Sequence, residues 1–148
     1  MIRIVYGDIL DAKESVIGHQ VNCKCVMEAG LAKQLRDKDE KIYSNYRFWC
    51  ETKPVDELLG SVQLVKVAHN KYVANIFAQY NYGRVGRYTN YTALKSGLTK
   101  LKEFSQSNNL TVALPFGLGS GLAGGEWGVI YNIIDEVFDD CEVVLYKI

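Results

Sequence analysis

The apolar residues of this chain follow two spacings, one typical of strands and one typical of helices. Mostly apolar runs at residues 2–6 and 16–21 predict two short buried strands. Residues 30–36 and 39–51 then follow helical spacing, with Ile42, Tyr46 and Trp49 four and three positions apart. The first third of the chain therefore predicts two strands followed by a helical region.

The remainder of the chain predicts a hairpin and two longer helices, each followed by a strand. Residues 61–67 alternate between apolar and polar positions, and residues 72–78 follow after a short turn that contains Asn70. We expect these two strands to form an antiparallel pair. Strands are also predicted at residues 110–114 and 142–146. The helix before each has apolar residues at intervals of 3, 4 and 3 positions: Tyr91, Leu94, Leu98 and Leu101 in one, and Trp127, Ile130, Ile134 and Val137 in the other.

The resulting order is β-β-α-β-β-α-β-α-β, which predicts an α/β fold. Strands separated by helices need crossover connections, so we expect a mixed, partly parallel central sheet of about six strands. Helices on both faces of that sheet would give three α/β/α layers. A chain of 148 residues can bury the core of one such domain, which we expect to span residues 1–148.

Composition and charge narrow the functional classes. Lysine plus arginine and aspartate plus glutamate number 17 each, so no overall basic field favours a dedicated DNA-binding protein. The four cysteines, at positions 23, 25, 50 and 141, lack the spacing of a zinc site, and we expect free thiols and no metal. Neither a secretory signal nor an apolar run of the ~18 residues that a membrane helix needs is visible, which favours a cytoplasmic protein without membrane contact.

A glycine-rich run is the strongest candidate for a binding site. Five glycines lie between Gly117 and Gly125, after the strand predicted at residues 110–114 and before the helix predicted from Trp127. Glycine allows positive φ and a close approach of ligand atoms to backbone N–H groups, and a helix N-terminus favours anions. The run therefore predicts a phosphate-binding loop, with a flexible surface loop as the alternative.

Polar residues also follow the first two strands, at the sheet edge where ligands bind in such folds. Asp8 could accept a hydrogen bond from an exocyclic amine such as that of adenine, with Ile9 in apolar contact with the base. Asn22 can donate to and accept from a ribose diol, and the helix start at residues 27–32 could present N–H groups to a pyrophosphate or a second ribose. A capping aspartate and an ordinary helix start are the alternatives.

Together these segments resemble a macrodomain, the ADP-ribose-binding module. The resemblance spans essentially the whole chain and rests on residues 7–9, 19–22, 30–32, 73–79 and 114–127, in this order and spacing. It is greatest to the compact branch that contains terminal ADP-ribose-protein glycohydrolases, the yeast ADP-ribose-1''-phosphate phosphatase and antitoxins that remove ADP-ribose from DNA.

The resemblance implies a set of ligand-binding residues. Residues 8 and 9 would hold adenine near the C-terminal residues 146–148, residues 22 and 30–32 would face the distal ribose, and residues 119–123 would wrap the phosphates. The full set is Asp8, Ile9, Asn22, Gly30, Leu31, Ala32, Gln79, Pro115, Gly117, Gly119, Ser120, Gly121, Leu122 and Ala123.

Two departures from the family pattern bear on mechanism. The protein-directed glycohydrolases carry a lysine and an aspartate at the positions that match Gln79 and Ala123 here. A glutamine cannot form a Schiff base and an alanine cannot accept a proton, so the lysine–aspartate mechanism is not expected.

Three other residues are then the catalytic candidates. Asn22 would hold the ribose, and phosphatase-like members have a histidine where this chain has His19. An imidazole or the carboxylate of Glu126, at the end of the glycine-rich run, could supply acid–base chemistry. The alternatives are a histidine of the core and a carboxylate that merely favours a helix N-terminus.

Residues 80–91 interleave four tyrosines with Arg84 and Arg87. Because arginine binds phosphate and tyrosine stacks on bases, the segment predicts a lid over the distal ribose or a reader of the group attached to it. The alternative is a solvated loop whose tyrosines pack on the following helix.

Three functions stay open at this point. The chain could hydrolyse an ADP-ribose conjugate such as an acyl ester, a 1''-phosphate or an ADP-ribosylated macromolecule. It could be an ADP-ribose reader without turnover, or an unrelated nucleotide-binding or structural domain. We favour hydrolysis by a monomer that uses no cofactor, with ADP-ribose or an ADP-ribosylated small molecule, protein or nucleic acid as the partner.

Overall fold

A computed structural model describes residues 1–148, and its centre is a six-stranded sheet. The strands are β1 (Ile2–Tyr6), β2 (Val16–Asn22), β3 (Val62–Ala68), β4 (Lys71–Gln79), β5 (Val112–Pro115) and β6 (Val143–Lys147). Five helices accompany them: α1 (Gly30–Lys38), α2 (Glu40–Thr52), α3 (Val55–Leu58), α4 (Tyr91–Ser107) and α5 (Trp127–Val137). A 3₁₀ turn at Ile9–Asp11 follows β1.

The strands lie in the order β1-β6-β5-β2-β4-β3, and every neighbouring pair is parallel except β3 and β4. This confirms the mixed, partly parallel sheet and the antiparallel hairpin. The hairpin turn places Asn70 at a φ of 53°, a left-handed conformation that asparagine tolerates better than most residues. The 3₁₀ turn and α3 were not predicted, because elements of three and four residues are too short to show a helical spacing of apolar residues.

Two apolar clusters hold the helices against the two faces of the sheet. The larger cluster has 16 buried residues and includes Leu94, Leu98 and Leu101 of α4 together with Ile130 and Ile134 of α5. The smaller has 9 buried residues and joins α1 and α2 to the other face. Each fully buried leucine or isoleucine contributes roughly 2 kcal/mol, so these faces account for most of the stabilising burial.

The connections to the two helical layers start from neighbouring strands of the sheet. The chain passes from β2 to α1 on one face, and from β5 through the glycine-rich run to α5 on the other face. β2 and β5 are parallel neighbours, so their carboxyl ends lie at the same edge of the sheet. The chain continues from these two ends to opposite faces of the sheet, and the space between two such connections is where ligands bind in α/β folds. None of the five helices is both long enough and apolar enough to span a membrane.

Candidate functional site

Two cavities lie at this edge of the sheet and share the same two walls. One, which we call the Asp8 cavity, has a volume of about 390 Å³ and includes Leu31 and Pro115. The other, the Asn22 cavity, has a volume of about 360 Å³ and includes Ala32 and Ala123. The first turn of α1 and the stretch from Pro115 to Ala123 contribute residues to both cavities, and we infer that the two cavities are the ends of one groove.

The Asp8 cavity combines a carboxylate with apolar and aromatic surface. Asp8 Oδ1 accepts a hydrogen bond from the N–H of Leu10 at 2.9 Å, so this carboxylate caps the 3₁₀ turn as the ordinary alternative predicted. Its second oxygen is left for another donor. Ile9 is buried beside it, and the ring of Phe116 lies 4.4 Å from the Lys147 ammonium. The C-terminal residues 146–148 complete the lining.

The first turn of α1 presents backbone donors to the groove. Gly30 opens the helix with a φ of 59°, and the preceding Ala29 has no side-chain cap. The first N–H groups of a helix have no partner within it, so an uncapped first turn has donors available for an anion.

The glycine-rich run faces this turn across the groove. Leu118 is buried in the larger core cluster and anchors the run, while Gly117 and Gly119 both have positive φ. Ser120 Oγ donates to the Gly117 carbonyl at 2.6 Å. Of the predicted ligand-binding residues in this part of the chain, Leu122 and Ala123 line the Asn22 cavity and Pro115 lines the Asp8 cavity. Four other predicted residues, which lie between Pro115 and Leu122 in the sequence, line neither cavity: Gly117, Gly119, Ser120 and Gly121.

Asn22 lies at the end of β2, where the pairing with β4 shifts register. Its Oδ1 lies 2.7 Å from the Tyr46 hydroxyl and accepts from the N–H of Lys24 at 2.9 Å. Its Nδ2 donates to the Val26 carbonyl at 2.8 Å. These bonds fold the loop after β2 and leave one Nδ2 hydrogen for a ligand in the cavity that Asn22 lines.

Gln79 lines the same cavity and is joined to Gln20, a residue that the sequence reasoning missed. Gln20 Nε2 donates to Gln79 Oε1 at 2.8 Å and to Thr89 Oγ1 at 2.9 Å. Thr89 Oγ1 in turn donates to the Gly119 carbonyl at 2.7 Å. We call these three side chains and that carbonyl the Gln20 network. The sequence signal that could have found Gln20 is the alternation of side chains along β2, which points Gln20 to the face opposite His19.

Two charged residues of the Asn22 cavity were also missed as site residues. Glu28, in the loop after β2, is the only carboxylate that lines the cavity, and Arg84 is the only cation. Arg84 belongs to the tyrosine- and arginine-rich segment predicted as a lid. The far end of that segment is attached to the glycine-rich run, because the Ala123 carbonyl accepts from the N–H groups of Tyr88 and Thr89.

His19 lies outside both cavities, which does not favour its predicted acid–base role. Its side chain is 2% exposed, and Nε2 donates to Asn75 Oδ1 at 2.5 Å. Asn75 donates to Gln63 at 3.0 Å, and Gln63 donates to the Asn45 carbonyl at 2.8 Å. We call this chain the His19 network. Burial lowers the pKa of His19 to about 4, although its hydrogen bond to Asn75 opposes this shift.

Glu126 also lies outside both cavities. It is exposed at the N-cap position of α5, and its side chain makes no capping hydrogen bond. Its backbone N–H donates to the Tyr91 hydroxyl at 3.0 Å. This placement agrees with the alternative in which the carboxylate acts on the positive end of the helix dipole.

Comparison with known proteins identifies relatives over the full length of the chain. No family model matches. The chain is 28% identical over 152 residues to an uncharacterized 17.5 kDa protein from the tk-vs intergenic region of Enterobacteria phage T4, which covers 98% of this chain and 95% of the phage protein. A Bacteroides thetaiotaomicron protein of unknown function is 27% identical, with a TM-score of 0.90 over 100% of this chain and 98% of that one.

Other solved structures with the same architecture are macrodomains. The macrodomain of Mycobacterium tuberculosis DarG is 24% identical, with a TM-score of 0.86 over 100% of this chain and 98% of that one. Thermosipho africanus DarTG, solved in complex with ADP-ribose, is 20% identical, with a TM-score of 0.81 over 98% of this chain and 41% of that one. At these identities the comparison establishes the fold.

Proposed function

Because the chain has the macrodomain fold, we propose that it binds ADP-ribose along the groove and hydrolyses an ADP-ribose conjugate at the Asn22 cavity. The observation that carries the proposal is the pair of cavities at the two ends of one groove, with backbone donors between them. A dinucleotide-like ligand has two bulky ends joined by a diphosphate, which matches this arrangement. The ADP-ribose complex of the Thermosipho neighbour supports the same ligand class.

The adenine would occupy the Asp8 cavity. The free oxygen of Asp8 can accept from the exocyclic amine, while Ile9 and Phe116 supply apolar contact with the base. The diphosphate would then lie between the first turn of α1 and the glycine-rich run, where helix and loop N–H groups favour negative charge. The distal ribose would reach Asn22 and Gln79.

The reaction assigned to the distal end is hydrolysis by water. The oxygen of the water forms a bond to the carbon or phosphorus of the scissile linkage, and the linkage to the leaving group breaks. Glu28 takes the proton of the attacking water, because it is the only carboxylate on that cavity, and the leaving group acquires a proton from solvent. Arg84, the only cation that lines this cavity, would stabilise negative charge on the leaving group. Gln79 and Ala123 cannot supply a lysine–aspartate mechanism.

Calorimetric titration tests the binding half of this proposal. We expect saturable binding of ADP-ribose and a loss of about tenfold in affinity for Asp8→Ala, because one ligand hydrogen bond is removed. Asp11→Ala is the matched control, since Asp11 lies in the same 3₁₀ turn outside the Asp8 cavity. Absence of binding at millimolar ADP-ribose would overturn the ligand assignment.

A substrate panel tests the catalytic half. It contains O-acetyl-ADP-ribose, ADP-ribose-1''-phosphate, ADP-ribosylated protein and ADP-ribosylated DNA. We expect turnover of at least one substrate and a loss of about 100-fold or more for Glu28→Gln, the low end of general base catalysis. Glu126→Gln should keep its rate, and a comparable loss in that variant would restore Glu126 as the candidate acid–base residue.

An ADP-ribose reader without turnover is the second candidate. The observation that favours it is Gln79, an amide at the position where lysine-dependent relatives were expected to carry their nucleophile. The reader predicts tight binding in the calorimeter and no product from any member of the panel.

A further inference from the structure

The Gln20 network joins four separate segments at the distal end of the groove. Gln20 lies on β2, Gln79 ends β4, and Thr89 precedes α4 and bonds to the glycine-rich run through the Gly119 carbonyl. Thr89 is 2% exposed, and Gln79 and Thr89 also form an isolated antiparallel bridge. No other side chain that lines the Asn22 cavity donates to two of these segments at once.

The orientation of each amide in this network follows from its neighbours. Backbone carbonyls can only accept, so Gln79 Nε2 must face the Asn81 carbonyl, 2.8 Å away, and Thr89 must direct its hydrogen to Gly119. Gln79 Oε1 and Thr89 Oγ1 are therefore both acceptors toward Gln20. Both hydrogens of Gln20 Nε2 are consumed, which fixes its Oε1 on the opposite side.

Gln20 Oε1 is consequently a buried acceptor without a partner. It lies 2.8 Å from the position that a Cβ at Gly119 would occupy, so it packs directly on the backbone of the glycine-rich run. An unpaired buried oxygen costs stability, and the two hydrogen bonds that Gln20 donates offset this cost. The structural role of Gln20 therefore lies in the two side chains, Gln79 and Thr89, to which its amide donates.

We propose that Gln20 is a positioning residue for the distal half of the ligand. Its amide holds the Gln79 side chain against the Asn22 cavity and, through Thr89, fixes the distance between the strand ends and the glycine-rich run. It therefore sets the affinity for the ribose and phosphate part of the ligand and leaves the adenine end untouched. This inference rests on the proposed binding of ADP-ribose.

A pair of ligands separates this role from a merely structural one. In the proposed binding mode AMP would occupy the Asp8 cavity and one phosphate position, whereas ADP-ribose would also reach the Asn22 cavity. For Gln20→Met we expect ADP-ribose affinity to fall about tenfold and AMP affinity to stay within about twofold, while Tm falls because Gln79 Oε1 loses its donor. Calorimetry with both ligands and a thermal melt measure these quantities.

Gln63→Met is the matched control, because Gln63 is also a buried amide but belongs to the His19 network. It should lower Tm and leave both affinities unchanged. Thr89→Val, which cuts the network from its other end with a side chain of similar shape, should reproduce the Gln20→Met pattern and serves if Gln20→Met fails to fold.

Two results would overturn the inference. ADP-ribose affinity within twofold of wild type in both network variants would show that the network does not position the ligand. An equal loss of AMP and ADP-ribose affinity would show a general structural role. Failure of the wild-type protein to bind ADP-ribose would instead remove the proposed function, and this outcome is visible before any variant is tested.

Discussion

His19 and Gln20 are neighbours on β2 and belong to two polar networks on opposite faces of the sheet. Successive side chains of a strand point in opposite directions, so one residue enters the layer under α2 and the other the layer that meets the glycine-rich run. The His19 network ends on a backbone carbonyl inside α2, away from both cavities. The Gln20 network ends on the glycine-rich run, beside the Asn22 cavity.

We expect the His19 network to contribute to stability and the Gln20 network to ligand binding. The His19 network links side chains from β2, β3 and β4 and stabilises the packing of α2 on the sheet. The Gln20 network leaves the Gln20 Oε1 acceptor unpaired. Its proposed role is to set the positions of the walls of the groove. His19 is therefore a weaker candidate for contact with the ligand than Gln20, although His19 is titratable and Gln20 is neutral.

The largest effect is expected from Asn75→Ala, which breaks the His19 network at its centre. The change leaves His19 and Gln63 without their partner and opens a cavity, so the free energy of unfolding should fall by roughly 4 kcal/mol. Urea unfolding measures this loss. ADP-ribose affinity, measured where the variant is folded, should match wild type, and a loss of affinity there would contradict the separation of the two networks.

Lowering the pH should reduce the free energy of unfolding by nearly as much, through His19 of the same network. The pKa of His19 is about 4 in the folded protein and near 6.5 when unfolded, so protons bind the unfolded chain first as pH falls. The stabilisation is complete above pH 6.5 and is lost as pH falls toward 4, by about 3 kcal/mol. Unfolding free energies across this range should depend less on pH in His19→Gln. His69→Gln, at the exposed hairpin turn, should behave as wild type, and equal pH dependence in all three proteins would refute the assignment.

A smaller effect is expected on the cleft side from Gly119→Ala. Gly119 has a φ of 71°, and an added Cβ would lie 2.8 Å from Gln20 Oε1 and 3.2 Å from Thr89 Oγ1. The glycine-rich run must then shift, and we expect ADP-ribose affinity to fall by about 30-fold, equivalent to about 2 kcal/mol of strain. Gly128→Ala is the control, since its Cβ would meet no atom within 4 Å and it lies in α5. Equal affinities for both variants would show that the Gln20 network does not constrain the run.

The fold could be predicted from the sequence because its signals are local. Apolar spacing located every strand to within two residues, and the glycine-rich run fell between a strand and a helix as expected. The order of strands then brought residues 8, 22 and 30–32 to one edge without any detailed geometry.

The functional roles within the site were less predictable, because they depend on the path of the loops. The loop after β2 begins at a shift of strand register and passes through Cys25 at a φ of 69°, and this path brings Glu28 to the Asn22 cavity. Alternation along β2 shows that His19 and Gln20 point in opposite directions, but it does not show which layer contains the cleft. The sequence therefore indicates His19 as a candidate through its imidazole and the resemblance to phosphatase-like members, and it does not single out Gln20.

The most direct test of the central claim is an NMR titration of the amide-labelled protein with ADP-ribose. We expect saturable shifts of the backbone amides at residues 8–9, 30–32 and 119–123 and of the Gln20 and Gln79 side-chain amides. The Asn75 and Gln63 side-chain amides should not move. Absence of shifts at millimolar ADP-ribose, or shifts concentrated on the His19 network, would contradict the account.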